Sequence, residues 1–451
     1  MYGGKLAMAQ VSVDTRRGTD RQTTSARLYS HDSPSIWREA LLPYLVTRVA
    51  LFLVGLLAAF YILPLLKSSP ILPSVSASTG FPGVLWVMWD RFDSGFYLDI
   101  ARHGYWAAST LNRASNWIFL PLYPMCIFAF AHLLGGSSAA FYLAGILISN
   151  AFGLVAVSYL YKLVCLDFNA RVASLTVIFL ALFPTSFYLS AIYPESLFLA
   201  CAVACIYYAR RRQWWLAGIC GALASLARIQ GLGLIIPVVW EFWQMLSDRY
   251  APLPDMSGAT PIEKGKIWLN SRLKGLLLAT GEMQNWLNLL AVALIPLGLV
   301  PFLVYSQIKT GDFLATIHNH TVGWGRKPEL FLRLIAGALL HPRLPDPMDW
   351  NFWLVNIITI FVFLSFTLWA LRKLPVMYIL YMAVMLLLPL STGSINSISR
   401  YCLVVFPAFM LLALWTSRTK ESGYGFFILI LLAMVQAIFM VFYVLGLPII
   451  A

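Results

Sequence analysis

Apolar runs of roughly membrane length recur from residue 42 almost to the end of the chain, separated by short connections rich in Lys and Arg. A bilayer with a hydrocarbon core about 30 Å thick takes a helix of about 20 apolar residues, and repetition of that pattern leaves few other folds available. Composition agrees: 60% of the 451 residues are hydrophobic and only 11% are charged, too few to cover a soluble protein of this size. The reading is an all-α polytopic membrane protein of about 11 transmembrane helices with a large first extracytoplasmic loop.

The spans are expected at 42–66, 139–163, 171–189, 194–209, two short ones within 210–243, then 286–305, 351–370, 374–390, 402–416 and 424–447. Arg38 and Arg48 hold the inner end of the first. Arg210 to Arg212, the basic loop 248–285 and Arg372-Lys373 then fall inside, as the positive-inside rule requires. The net charge of +13 therefore reports topology, with no nucleic-acid partner implied. Parity makes the apolar stretch 117–135, with Pro121 and Pro124, a re-entrant or interfacial segment. The first 38 residues, polar and rich in Ser, Thr and Arg, are expected to be a disordered cytoplasmic tail, leaving 39–451 as one integral membrane domain. Six cysteines lie in or beside apolar runs without metal-type spacing, so neither a disulfide nor a metal site is expected.

The unusual polar residues collect on the outer side. Asp90, Asp93, Asp99 and His103 fall among Phe96, Tyr97 and Tyr105; on a helix Asp93 would share a face with Tyr97, and Asp99 with His103. Glu195 opens a span after Tyr193-Pro194, where it stabilises a helix N-terminus or serves a site. Arg228 and Gln230 interrupt an apolar run, Gly311-Asp312 precedes His318, Asn319, His320 and Trp324, and Arg400-Tyr401 closes a polar turn. Carboxylates at a membrane edge are costly unless hydrated, paired or used. A carboxylate base, arginines and aromatic walls on one side of a bilayer suit a lipid-phosphate substrate, the base taking a proton from an acceptor hydroxyl and an Arg forking onto the phosphate. A soluble nucleotide-sugar donor would want phosphate-cradling glycine loops, and none is visible.

Arg91-Phe92-Asp93-Ser94-Gly95-Phe96-Tyr97-Leu98-Asp99-Ile100-Ala101-Arg102-His103-Gly104-Tyr105 resembles the PIG-V-type mannosyltransferases, whose first outer loop reads roughly W-D-x-x-(W/H)-(Y/F)-x-x-I-A-x-x-G-Y. Phe92 replaces the usual Trp, Asp93 takes the place of the family's acid, and Asp90 stands three residues out of register. The likeness continues in Phe119 to Pro124, in Phe183-Pro184-Thr185-Ser186 running to Tyr193-Pro194-Glu195-Ser196, in Thr310-Gly311-Asp312, and in Arg400-Tyr401 with Phe406-Pro407.

The resemblance implies a C-type glycosyltransferase fold and inverting transfer of a hexose, mannose first, from a polyprenyl-phosphate carrier to a glycolipid or glycan acceptor on the extracytoplasmic or lumenal face. In eukaryotic relatives the donor is dolichyl-phosphate mannose and the product a glycolipid-anchor precursor. The membrane would be the plasma membrane of a prokaryote or the endoplasmic reticulum of a eukaryote. Asp93 is then the general base and Glu195 a second acid orienting a sugar. Arg228, with Gln230 beside it, and Arg400 are phosphate contacts, while Tyr97, His103 and Tyr401 shape the pocket. No cofactor is implied, and a divalent cation bridging Asp93 and Glu195 is the one metal arrangement left open. The competing reading is a transporter or lipid-linked sugar flippase, which would carry charges through the bilayer and show two related halves with broken helices.

Overall fold

The polar groups freed wherever a helix breaks inside an apolar protein must find partners, and this requirement shapes the outer half of the molecule. The structure, a computed structural model, describes residues 35–62, 65, 81–106, 115–254, 258, 260–324, 326–340, 347–418 and 422–447. The expected tail falls outside these residues up to position 34, and the first helix already starts at Trp37. Among the described residues every regular element is a helix.

Among the described residues six helices are long and apolar enough to cross a membrane: Trp37–Ile62, Ser138–Asp167, Ile229–Tyr250, Met283–Thr310, Trp353–Ala370 and Gly423–Leu445. A seventh crossing is available if Ile398–Val404 and Pro407–Ser417, bent by 71° at their junction, act as one span. Three further expected spans are the shorter apolar helices Ala170–Leu182, Trp214–Ala227 and Val376–Leu390, so length and composition alone do not reach eleven. The stretch 117–135 contains a 12-residue helix, Leu122–Leu133, about 18 Å long and short of the hydrocarbon thickness.

Local sequence explains the ends. Ser137 and Asn169 cap Ser138–Asp167 and Ala170–Leu182, accepting from the amides of Ala140 at 3.2 Å and Val172 at 3.0 Å. Thr260 and Glu263 form a reciprocal capping box at the start of Pro261–Ala279, a helix that sequence patterning left as a basic loop. Gly218 allows Trp214–Ala227 to lie directly on Met283–Leu297: a Cβ there would stand 1.9 Å from the Ala291 carbonyl oxygen.

Arg48 corrects the expectation that it marks the inner end of the first span. It is buried, and its guanidinium donates to the carbonyls of Ser186 at 2.6 Å and Ala181 at 2.8 Å and to the Ser186 hydroxyl at 2.9 Å. Gln436 donates to the Ala181 carbonyl as well, at 2.7 Å. Both side chains satisfy carbonyls released where the helix ends at Leu182 and the chain unwinds through Ser186–Leu189 towards Glu195. At the opposite end of the bundle Arg210 pairs with Asp167 and with Glu241 at 3.0 Å, and Tyr378 donates to Asp167 at 2.6 Å. Polar ties thus close the structure at both ends of the apolar core.

Candidate active site

Four chain breaks meet at one end of the bundle: the turn before Ser94–His103, the unwound segment before Glu195, the interruption at Arg228, and the turn before Ile398–Tyr401. Asp93 is the N-cap residue of Ser94–His103. Its amide donates to the Tyr193 hydroxyl at 2.9 Å, and that hydroxyl donates onward to the Arg91 carbonyl at 2.8 Å. Arg91 in turn anchors the turn to the last helix through two bonds to the Val444 carbonyl, at 2.6 and 2.8 Å. Between them Phe92 holds a left-handed backbone (φ 56°), a conformation a bulky residue adopts only under outside constraint. The turn is therefore fixed from both sides with the Asp93 carboxylate facing a cavity of about 1210 Å³.

Arg228 leaves its helix in extended conformation (φ −152°, ψ 143°), which turns its side chain across the break towards Glu195. Arg400 rides on the short helix Ile398–Tyr401, introduced by Ser397 in the left-handed region (φ 64°). The Thr185 hydroxyl holds this helix from one side by donating to the Ser399 carbonyl at 2.9 Å, and the Ser399 amide donates to Asn356 Oδ1 at 3.1 Å. Thus the Phe183-Pro184-Thr185-Ser186 motif supports the site from behind.

The charged groups form one chain. Arg400 Nη1 lies 3.0 Å from Asp93 Oδ2 and its Nε 3.5 Å from Glu195 Oε1; Arg228 Nη1 bonds the same Glu195 oxygen, while its Nε donates to Gln230 Oε1 at 2.8 Å. Tyr401 sits among guanidiniums, with Arg228, Arg400 and Arg326 carbons 5.0, 5.2 and 5.8 Å from its ring centre. Tyr188 and Tyr193 cover Arg400 from the other side at 5.5 and 5.1 Å. Three guanidiniums therefore share the end of the cavity with two carboxylates, so one positive charge is left uncompensated.

The structure brings Asp93, Tyr97, Arg228, Gln230, Arg400 and Tyr401 onto the cavity wall, and leaves two expected residues off it. Glu195 is fully buried and off the cavity wall, paired with Arg228 and Arg400. His103 is largely exposed and bonded to Asp99 at 2.9 Å, one helical turn back, and does not line the cavity. That pair is the helical spacing expected from the sequence, and the other Asp99 oxygen accepts from Trp106 at 2.6 Å. Asp90 accepts from the Ser94 hydroxyl at 2.6 Å, a local turn bond.

Two lining residues carry more than sequence reasoning assigned them. His320 belongs to the outer constellation read from the sequence, whereas Arg326, one of several cations in the segment 306–350, carries no local signal that sets it apart from Lys327 or Arg333. Burial, with Arg326 nearby as the lesser cause, lowers the His320 pKa to about 4, leaving the imidazole neutral near pH 7. His318, two residues earlier, instead pairs with Asp312 at 2.8 Å in the open.

Among the described residues no group of three His, Cys, Asp or Glu side chains could hold a metal ion. The Arg400 guanidinium stands between Asp93 and Glu195, where a bridging cation would have to sit. Beside the polar turn residues Ser391, Thr392 and Asn396, one stretch of the wall is apolar, formed by Leu232 and Ile236 of one helix and Val384, Leu387 and Leu388 of another. Ile236 and Leu388 are 48% and 39% exposed, so this wall runs out onto the apolar flank of the bundle between Ile229–Tyr250 and Val376–Leu390. A charged end joined to a greasy side opening can receive an amphiphile with its head inward and its tail towards lipid.

Comparison with known proteins adds an independent line. Residues 39–253 match the family model described as mannosyltransferase (PIG-V). Comparison with curated proteins yields no match. Among solved structures the chain is similar to ArnT from Cupriavidus metallidurans bound to undecaprenyl phosphate, at 14% identity over 82% of this chain and 75% of that one, TM-score 0.45. It is also similar to the apo oligosaccharyltransferase of Archaeoglobus fulgidus, at 14% identity over 92% of this chain, TM-score 0.43, and it spans 56% of that longer protein.

Proposed function

With residues 39–253 matching the family model described as mannosyltransferase (PIG-V), we propose that the chain transfers mannose from a polyprenyl-phosphate carrier to a glycolipid or glycan hydroxyl, with inversion, at the extracytoplasmic or lumenal face of its membrane. The observation that carries this reading is the cavity itself: Asp93 and the arginines at its closed end, an apolar wall open to the flank of the bundle beside them. A C-type glycosyltransferase architecture suits this arrangement, with the membrane that of the prokaryotic cell surface or the eukaryotic endoplasmic reticulum. A flippase would need polar groups along a transverse path, whereas here the arginine and carboxylate cluster sits at one end of the bundle.

The chemistry follows from the geometry. The acceptor oxygen attacks the anomeric carbon from the face opposite the phosphate, and Asp93 takes the hydroxyl proton as the new C–O bond forms. The bond from the anomeric carbon to the phosphate oxygen breaks, its electron pair leaving on polyprenyl phosphate. Negative charge grows on that phosphate, and cations already fixed in place stabilise it without reorganising. Arg400 lies 3.0 Å from the Asp93 carboxylate, and Glu195 holds Arg400 and Arg228 at their stations. Purified protein in lipid nanodiscs, given polyprenyl-phosphate [³H]mannose and a panel of glycolipid acceptors, should release polyprenyl phosphate and form a labelled product of inverted configuration. Turnover with a soluble nucleotide sugar and none with the lipid donor would overturn the proposal.

A further inference from the structure

Of the three arginines at the closed end, two are already engaged by carboxylates: Arg400 by Asp93 and Glu195, and Arg228 by Glu195. Arg326 has no carboxylate partner among the described residues. Its one side-chain hydrogen bond is a long one, 3.4 Å, to the Tyr401 hydroxyl, and its guanidinium lies against that ring. It is the source of the excess positive charge in the cavity wall. His320 lines the same cavity, and its Nδ1 is buried with no hydrogen-bond partner. The two residues are tied together, since the Arg326 amide donates to the His320 carbonyl at 3.1 Å.

We infer that Arg326 and His320 form the seat for the phosphate of the lipid donor, with Arg228 and Arg400 serving mainly to set and hold the carboxylates. The inference rests on the lipid-phosphate reading above and assigns its anion to particular residues. A phosphodiester donor carries one negative charge, which matches the single uncompensated guanidinium. A fork of planar donors suits phosphate oxygens, and a neutral imidazole can add a hydrogen bond without a second full charge. An Arg that must first abandon a buried carboxylate would leave that carboxylate unpaired, a cost that Arg326 avoids. After cleavage the phosphate becomes a monoester and gains charge, so the same seat favours the product side of the reaction. The segment carrying both residues follows Met283–Thr310, and both residues line the cavity that Asp93 also lines.

The test is equilibrium binding to the full chain in nanodiscs, using polyprenyl phosphate, the matching uncharged polyprenol, and phosphatidylglycerol as three separate probes. Wild type should bind polyprenyl phosphate at least about tenfold more tightly than polyprenol, the size expected for one charged hydrogen-bonded contact. Arg326→Gln should abolish that preference while leaving polyprenol binding unchanged; Arg326→Lys should keep part of it, and His320→Phe should reduce it. Arg333→Gln is the control, since Arg333 lies exposed on the same outer segment, paired with Glu329 at 3.3 Å. A preserved thermal transition in each variant excludes misfolding as the cause. Unaltered phosphate preference in Arg326→Gln would overturn this assignment and leave the enzyme reading standing. Phosphatidylglycerol bound as tightly as polyprenyl phosphate would also overturn it, making the seat one for ordinary headgroups. No preference for phosphate in wild type would instead bring down the lipid-phosphate reading itself.

Discussion

Asp90 and Asp93 are two carboxylates three residues apart with different fates. Asp90 spends one oxygen on the Ser94 hydroxyl, whereas Asp93 faces the cavity with Arg400 at 3.0 Å. Asp93→Asn should lower kcat by about 100-fold or more, the usual contribution of a general base, with normal abundance and an unshifted thermal transition. Asp90→Asn should stay within a few-fold of wild type. The reverse ranking would move the base to Asp90. Arg400 supports a second expectation at this scale. Because it bridges Asp93 and Glu195, Arg400→Lys should cut kcat and lower thermal stability while changing donor KM little: an ammonium cannot span both carboxylates in that planar geometry. A raised donor KM at unchanged kcat would return Arg400 to the phosphate. Asp93, Arg228 and Arg400, all on the cavity wall, were legible in the sequence because acids and arginines in an apolar chain stand out by composition. The pairing of Glu195 with Arg228 and Arg400, across 33 and 205 residues, leaves no local trace in the sequence.

Individual elements show where small side chains decide packing. Trp214–Ala227 and Met283–Leu297 approach until Gly218 meets the Ala291 carbonyl, and Gly221 meets Ile295 one turn along. Gly218→Ala should push the pair apart and destabilise the protein by about 1–3 kcal/mol, the cost of overpacking a tight contact. Gly265, inside Pro261–Ala279 with open space around it, is the matched control. There Gly→Ala should be neutral or stabilise by up to about 1 kcal/mol through helix propensity. Equal effects at the two glycines, read as thermal transitions in the same detergent, would contradict the close approach. Apolar period and length made these helices readable. The capping box at Thr260 and Glu263 was present in the sequence as Thr-Pro-Ile-Glu, yet the basic character of 248–285 drew it into a loop assignment.

At the scale of the whole molecule, the site residues share one end of the bundle and the Asp167–Arg210–Glu241 network the other. The positive-inside rule then places the site outside. In a cysteine-free background, Ser138→Cys should react with an impermeant thiol reagent applied to intact cells, and Lys266→Cys only after permeabilisation. Both positions are exposed, so reactivity reports sidedness and not burial. Labelling of Lys266→Cys in intact cells would invert the topology and put Asp93 on the cytoplasmic side.

Hydrophobic run length, local along the chain, determined the membrane class and the helical architecture, and the distribution of Lys and Arg set the expected sidedness, because the bilayer selects on segment length and on short-loop charge. They also exposed Asp93, Arg228 and Arg400 as residues out of keeping with their surroundings. The division of labour among those charges was decided by tertiary structure alone. Whether an arginine is free for a ligand depends on which carboxylate reaches it first, and here the partners come from helix breaks far apart in the chain. Arg48 makes the same point in reverse: its position in the first span suggests a headgroup anchor, and only the unwinding after Leu182, which leaves carbonyls needing donors inside an apolar protein, turns it into a buried support for the site.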